Sequence, residues 1–491
     1  MPLQVSAKNI DNSNYPAGNV VVDLDRSLLR VDLLHEAVAR LGIRSPLSLI
    51  YLALKHRKSL ATFKTAVAER VQIDPENLPY DTEVIAYLRG KVASGHRLIL
   101  ATASPKDWAV PVAKHLGFFS DVLATDPSVN LKQRRKLDAI HKVLVDAPFA
   151  YVGDSHDDIP IFDAAADGRV LVGSSHRPLS WLRQMDGGFT HLSPSNAIAK
   201  VQSAIRACRP IHWIKNLLIF LPAVTGWGIY DPSRLVDCSL AFLAFSLVAS
   251  AIYLVNDLAD LAADRAHPDK RYRPIASGSL QASLAVLLAG SLAMAGFGLA
   301  FVTGPNVVVA LSVYLILNAA YTIRLKEMPL TDIALLCSFY LVRVMLGIAV
   351  LNLTPSIWFI AFLGCLFAEL AHWKRYVEVI STSASSSKRR SYTNQDANVL
   401  LAFGVGFSFA AALVLTLYLQ SDEVSPVYHA PKLLALLAPL LLLHNLGMWL
   451  EASRGNGASD PIMFILKSGK FWFSAAAALI ILASARILTP F

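Results

Sequence analysis

From about residue 210 to its C-terminus the chain runs through nine apolar segments, at 213–230, 236–256, 281–303, 306–323, 331–351, 355–373, 397–420, 432–450 and 471–489. Each is about long enough to cross a hydrocarbon core of roughly 30 Å. Inside such a core every backbone N–H and C=O must be paired within the segment, so the spans are expected to be helices and residues 206–491 an all-α polytopic bundle. Hydrophobic residues make up 54% of the chain and charged ones 16%, and the apolar surplus lies after residue 210. The first 200 residues carry an ordinary charge load. The expected organisation is a flexible N-terminus at 1–19, a soluble domain at 20–200 and the membrane domain at 206–491.

Lys and Arg concentrate in the loops at 257–280, 324–330, 374–396 and 451–470, whereas the opposite loops, around Asp231–Arg234, Thr303–Asn306, Asn352–Pro355 and Ser421–Lys432, carry few. The basic loops are therefore expected on the cytoplasmic face, with the soluble domain beside them. The sequence before Asn19 is polar and lacks a charged-then-apolar signal pattern, which also keeps that domain inside. This predicts a multi-pass protein of a bacterial inner membrane. A net charge of +9 held in short loops points to anionic substrates and membrane lipid head groups rather than to nucleic acid. Cys208, Cys238, Cys337 and Cys365 show no CxxC pairing and read as core residues.

In the soluble part, VVDLDRSLL (21–29) reads as a strand ending in Asp23, Asp25 and Ser27. RLILATASP (97–105) reads as a second, ending in Thr102 and Ser104, and AYVGDSHDDIPIF (150–162) as a third, ending in Gly153, Asp154 and Asp158. Strands alternating with helical stretches predict a doubly wound α/β sheet, whose ligands gather at the carboxyl ends of its strands. Residues 31–88, with a basic patch at Lys55, His56, Arg57 and Lys58, fit a helical cap.

Within the membrane domain the densest chemistry lies in YLVNDLADLAADRAHPDKRYRPIASG (253–278). Asn256, Asp257, Asp260 and Asp264 follow helical spacing, so the three carboxylates are expected on one face. Clustered oxygen ligands suit Mg²⁺, which brings a substrate phosphate with it. Arg265, His267, Lys270 and Arg273 would then meet phosphate oxygens; the plainer alternative is a helix end with a solvated, charged loop. Arg206, Arg209, Trp213 and Lys215 suit an interfacial anchor, with Lys215 and Asn216 also candidates for substrate contact. Arg343 sits inside an apolar segment and is a functional candidate on that ground, or else a structural partner of Asp332.

The pattern N-D-x-x-D-x-x-x-D-R-x-H-P-x-K-x-x-R-P-x-A-S-G resembles the first aspartate-rich motif of the UbiA superfamily of intramembrane prenyltransferases. Within it the chain is most similar to the decaprenyl-phosphate phosphoribosyltransferase-like branch, over roughly residues 206–491. YTIRLKEMPLTD (321–332) matches a further signature of that superfamily, which implies roles for Tyr321, Lys326 and Asp332. Where members using a prenyl diphosphate carry a second aspartate cluster, this chain has Glu369, Lys374, Arg375, Tyr376 and Glu378, then Lys388, Arg389 and Arg390. Cations there favour direct phosphate contact. The serine-rich 381–387 stretch reads as a loop that orders over substrate.

The soluble constellation resembles the haloacid dehalogenase-like phosphatases. That likeness implies Asp23 as nucleophile, Asp25 as general acid and base, Thr102 on a phosphate oxygen, and Lys132 as the screening lysine, with Lys136 its rival. Asp23, Asp25 (through its carbonyl), Asp154 and Asp158 would hold Mg²⁺. Together the resemblances imply a bifunctional enzyme with Mg²⁺ in both active sites. It would transfer 5-phosphoribose from phosphoribosyl pyrophosphate to a polyprenyl phosphate and then remove the 5-phosphate. A UbiA-type prenyltransferase using a prenyl diphosphate donor, or a membrane scaffold with a regulatory soluble half, are the alternatives. Self-association into a homo-oligomer stays open.

Overall fold

A computed structural model describes residues 18–173, 188–194, 196–225, 231–354, 356–381, 392–421, 424, 428–457 and 461–488. The N-terminal stretch through residue 17, most of the serine-rich loop and Lys388–Arg390 lie outside the described residues. The chain forms two compact units, Met1–Arg209 with Tyr253–Gly290, and Pro210–Ile252 with Ser291–Phe491. The aspartate-rich stretch, expected to belong wholly with the membrane domain, therefore lies in the first unit.

The first unit is built on six parallel strands: β1 (Asn19–Val22), β2 (Arg97–Pro105), β3 (Asp121–Thr125), β4 (Phe149–Gly153), β5 (Gly168–Val172) and β6 (Thr190–Leu192), in the order β3-β2-β1-β4-β5-β6. Alternation along β1 sends Val20 and Val22 into one apolar cluster with Leu98, Leu100 and Trp108, and Val21 into another with Ile99, Tyr151 and Phe162. Both faces are thus covered, as a parallel sheet requires. The helices are α1 (Leu33–Arg44), α2 (Pro46–Lys55), α3 (Leu60–Ala68), α4 (Thr82–Ala93), α5 (Lys106–Leu116), α6 (Arg134–Leu144), α7 (Ile159–Ala164) and α8 (Ala197–Cys208). Helices α1 to α3 fall within residues 31–88, the stretch expected as the cap. A bridge pairs Leu29 with Tyr80, and α4 packs on β2.

The aspartate-rich stretch packs on the cap. The helix Pro232–Ala259 ends one residue before Asp260, and a short helix, Leu261–Ala266, follows. Arg265 reaches Glu36 of α1 through a two-pronged contact of 2.9 and 2.6 Å, both side chains being buried. Arg44 Nη2 donates to the carbonyl of Ala259 at 2.7 Å. Gly278 has φ +76°, and a Cβ there would lie 2.8 Å from Val31 and 2.9 Å from Arg30. Only glycine combines that conformation with that approach.

Among the described residues, eight helices are long and apolar enough to cross a membrane: Pro232–Ala259, Ala282–Thr303, Pro305–Thr322, Thr331–Val350, Ile357–Ser381, Asn394–Leu419, Pro431–Ser453 and Gly469–Ile487. The expected first span, 213–230, differs. Its described part is a 3-10 stretch, Pro210–Phe220, followed by a five-residue helix, Leu221–Thr225. Pro222 lacks an N–H and fits the first turn of a new helix, not the interior of a continuous one. The second unit's core holds Tyr340, Phe367, Trp373, Tyr376, Leu400, Met448 and Trp449. Gly404 lets the Trp449 ring lie against its helix, since a Cβ there would fall 2.1 Å from that ring.

Candidate functional site

Two strand ends of the first unit and the turn that follows one of them converge. Asp23 follows β1, Asp154 follows β4, and Asp158 sits in the turn before α7. Carboxylate oxygens of Asp23, Asp154 and Asp158 lie within 4.8 Å of one another, the one such acidic group among the described residues. Hard oxygen donors at that spacing fit a magnesium ion. Lys136, buried on α6, places Nζ 3.0 Å from Asp23 and 3.1 Å from Asp158, and donates to the Tyr151 hydroxyl at 2.7 Å. Lys132, the residue expected in that place, instead pairs with Asp157 at 2.8 Å, where both side chains are largely solvated. Its position just before α6 keeps it outside, whereas Lys136 lies in the helix's first turn on the buried side.

Asp25 accepts from Ser104 Oγ at 2.6 Å and from the Leu33 amide at 2.9 Å. Thr102 is buried, its hydroxyl accepting from the Ser104 amide at 3.0 Å. Between Asp25 and Ser27, Arg26 takes a left-handed φ of 56° and reaches Asp154 at 3.4 Å. Burial raises the Asp23 carboxyl to about 6, with Lys136 opposing the rise. Burial and the neighbouring Asp32 raise Asp25 to about 7. Burial raises Asp154 to about 8. For the Lys136 ammonium burial acts downward, but the charges of Asp158 and Asp23 outweigh it and hold the pKa above its ordinary value.

In the aspartate-rich stretch the break at Asp260 changes the expected geometry. Asp257, Asp260 and Asp264 form no three-carboxylate group. Asp257 and Asp264 instead converge on Arg273 Nη1, at 3.2 and 2.6 Å. Arg209 also pairs with Asp257 and stacks over Tyr253. Burial raises the Asp264 pKa, against the pull of Arg273. Arg265, expected on substrate phosphate, is committed to Glu36 and to the Ala276 carbonyl. His267 caps its own turn, Nδ1 accepting from the amides of Asp269 and Lys270. Lys270 is half-buried in the following turn, Lys270–Tyr272.

The expected residues of the second unit fall into two buried networks. In one, Arg343 donates through Nε to Asn216 Oδ1 at 2.7 Å and through Nη2 to Tyr314 at 3.2 Å, with the Phe245 and Tyr314 rings at 4.8 and 5.0 Å. Asn216 donates to Ser246 at 2.9 Å. Arg343 thus ties helices together through Asn216, not through Asp332. In the other, Arg375 meets Asp332 at 2.5 Å, pairs with Glu378, and donates to Tyr321 at 3.0 Å. Two carboxylates thus hold the guanidinium that was expected on phosphate. Tyr376 lies against Trp449 in the core. Lys215, Lys326 and Lys374 are half-buried.

Residues 217–464 match the UbiA prenyltransferase family, half of the chain. The chain belongs to that family. Residues 20–163 match the haloacid dehalogenase-like hydrolases, so a hydrolase-type domain precedes the UbiA domain. "Uncharacterized protein y4nM" of Sinorhizobium fredii is 33% identical over 93% of this chain and 89% of its own length. "Decaprenyl-phosphate phosphoribosyltransferase" of Corynebacterium glutamicum is 37% identical over 45% of this chain and 68% of its own length. "Nodulation protein NoeC" of Azorhizobium caulinodans is 29% identical over 54% of this chain and 86% of its own length.

Two groups of this UbiA-family chain, Lys64 and Tyr151, escaped sequence reasoning, and a third, Glu369, was read only as part of the 369–378 cluster. Lys64 of α3 is buried, donates to the Ala103 carbonyl at 2.7 Å and to Asn130 at 3.1 Å, and feels the charges of Asp25 and Asp32. Its signal was a lysine in the otherwise apolar run LATFKTAVA. Tyr151 links Lys136 to Asp158, bonding the latter at 2.9 Å. Glu369, inside a span, accepts from Ser408 at 2.6 Å, Asn445 at 2.6 Å and Trp449 at 3.2 Å.

Proposed function

We propose that the chain is a bifunctional polyprenyl-phosphate phosphoribosyltransferase and phosphatase of the bacterial inner membrane, with both sites facing the cytoplasm. In the first reaction the phosphate of a polyprenyl phosphate attacks the anomeric carbon of phosphoribosyl pyrophosphate, and pyrophosphate leaves. An ionised phosphate needs no protein base. Asp257 and Asp264 are the acidic pair of that site, with Arg273 and Lys270 for phosphate oxygens. Two carboxylates rather than the four expected ligands fit magnesium there, because magnesium ordinarily takes its remaining oxygens from substrate phosphate and water. The likeness to the Corynebacterium glutamicum relative carries the choice of sugar donor.

In the second reaction Asp23 attacks the ribose 5-phosphate, forming an aspartyl phosphate as the bond to the ribose oxygen breaks. Asp25, its pKa raised to about 7, gives that oxygen its proton and later takes one from the attacking water. Lys136 screens the charge between Asp23 and the incoming phosphate. Asp23, Asp154 and Asp158 would hold magnesium, which would supply further charge neutralisation. One observation favours the prenyl diphosphate alternative: Arg375, a cation expected on substrate phosphate, is engaged by Asp332 and Glu378.

Mass spectrometry of the lipid product, after incubation with phosphoribosyl pyrophosphate and a polyprenyl phosphate, tests both steps. Wild type should yield prenyl-phosphoryl ribose, and Asp23→Asn should stop at its 5-phosphate. A dephosphorylated product from Asp23→Asn would exclude the N-terminal domain, and no ribosylated lipid from either would favour the prenyl diphosphate reading.

A further inference from the structure

The cap carries an apolar surface that neither reaction uses. In α2, Leu52 is buried, and Leu49 packs half-buried against the domain core. The opposite side is bare: Leu47 is 81% exposed, Ile50 56%, Tyr51 53% and Leu54 65%. Those four positions follow i, i+3, i+4, i+7 spacing and so form one stripe. Leu60, at the start of α3, is also exposed. A soluble domain rarely leaves such a contiguous patch uncovered unless something docks on it.

The flanking charge identifies the partner. Lys55, Arg57 and Lys58 are exposed at the C-terminal end of the stripe, and no Asp or Glu occurs from residue 37 through 68. Lys55 lies 5.6 Å from the Tyr51 ring centre, an aliphatic stem along an apolar body with its charge at the end. Apolar stripe and cationic edge are the requirements for lying in the interface of an anionic bilayer. Two copies of this face would oppose like charges, which argues against self-docking. The chain also has a bilayer within tether reach, because it is multi-pass. Helix α8, which leads into the membrane segments, repeats the pattern with Ile198, Val201 and Ile205 exposed, Lys200 and Arg206 beside them, and no acid.

We propose that α2 and the Lys55–Lys58 turn seat the phosphatase cap on the anionic surface of the bilayer that the chain spans. It follows, resting on the phosphatase reading above, that the domain takes a phosphate monoester whose tail stays in the membrane. The cap then meets its substrate at the head-group plane. Helix α3 begins just beyond the basic turn and carries Lys64, whose charge is felt at Asp25.

The test uses the full chain in nanodiscs of phosphatidylcholine, with or without phosphatidylglycerol, carrying a fluorophore on Ile50→Cys after replacement of the four native cysteines by alanine. Nitroxide on the lipid acyl chains should quench the label, more so with phosphatidylglycerol. Each charge reversal among Lys55→Glu, Arg57→Glu and Lys58→Glu should weaken docking about fivefold. Quenching by a water-soluble nitroxide alone would overturn the proposal. So would protection from both quenchers with concentration-dependent cross-linking between copies. A paired Ile50→Glu/Leu54→Glu variant should raise KM for the prenyl-linked phosphate and leave hydrolysis of para-nitrophenyl phosphate unchanged. Equal KM for the lipid substrate would overturn the substrate assignment. If the wild type hydrolyses neither compound, the phosphatase reading fails, and quenching still decides the docking.

Discussion

Lys136 is the residue on which the phosphatase-type site turns, because its ammonium bridges Asp23 and Asp158. Removing it leaves buried carboxylates unscreened against each other and against a phosphate. Lys136→Ala should lower phosphatase kcat by about 10²-fold or more, the scale of losing a preorganised charge in a closed site. Lys132→Ala removes a solvated pair with Asp157 and should change kcat by no more than about fivefold. Steady-state hydrolysis of a soluble phosphate monoester checks both. Spacing in the sequence favoured Lys132, whereas the structure sets Lys136 against Asp23 and Asp158; the two lysines lie one helical turn apart on either side of the start of α6. What separates them is the side of the helix that faces the sheet. Asp23, Asp25, Thr102, Asp154 and Asp158 were legible as neighbours because each lies near or just beyond the carboxyl end of an apolar strand, and strand ends of a parallel sheet share one edge. Arg265 was misread for the opposite reason: its partner Glu36 lies 229 residues away in sequence.

That pair sets the behaviour of α1 as an element. Glu36 and Arg265 are both buried, so removing one partner strands the other's charge. Glu36→Ala should destabilise the protein by about 3–5 kcal/mol, and Glu36→Leu with Arg265→Met should recover much of it. Thermal unfolding of the two variants decides this. Among the spans, Glu369 joins the helix Ile357–Ser381 to Ser408 and to Asn445 and Trp449 of two others. Glu369→Ala leaves three donors short of an acceptor and should cost roughly 1–3 kcal/mol for each, whereas Glu369→Gln keeps part of the network. Unfolding in detergent measures the difference. Helix existence in this half was readable from apolar length alone, and eight of the nine expected spans are present among the described residues. The segment at 213–230 failed because hydropathy does not weigh the missing N–H of Pro222. The break at Asp260 was equally invisible, since helical spacing assumes an unbroken helix.

At the scale of the whole molecule, the proposed intermediate decides how the two activities depend on each other. A prenyl-linked ribose 5-phosphate carries a tail of many CH₂ groups, each worth about 0.8 kcal/mol when buried in lipid, so it does not leave its bilayer. Transfer between sites is then a two-dimensional search within one membrane, and the sites need not be on the same chain. An Asp257→Asn chain keeps the phosphatase carboxylates, and an Asp23→Asn chain keeps the transferase pair. Reconstituted in the same vesicles, the two variants should together form the dephosphorylated product that neither forms alone. In separate vesicles the 5-phosphate should accumulate, because the intermediate cannot cross water to reach the intact phosphatase. Thin-layer separation of radiolabelled lipid from the two mixtures reads the outcome. Product from separate vesicles would mean a soluble intermediate. No product from shared vesicles would mean that the intermediate stays bound to the chain that made it. The fusion would then be needed for direct transfer, and not only for bringing both activities to one membrane.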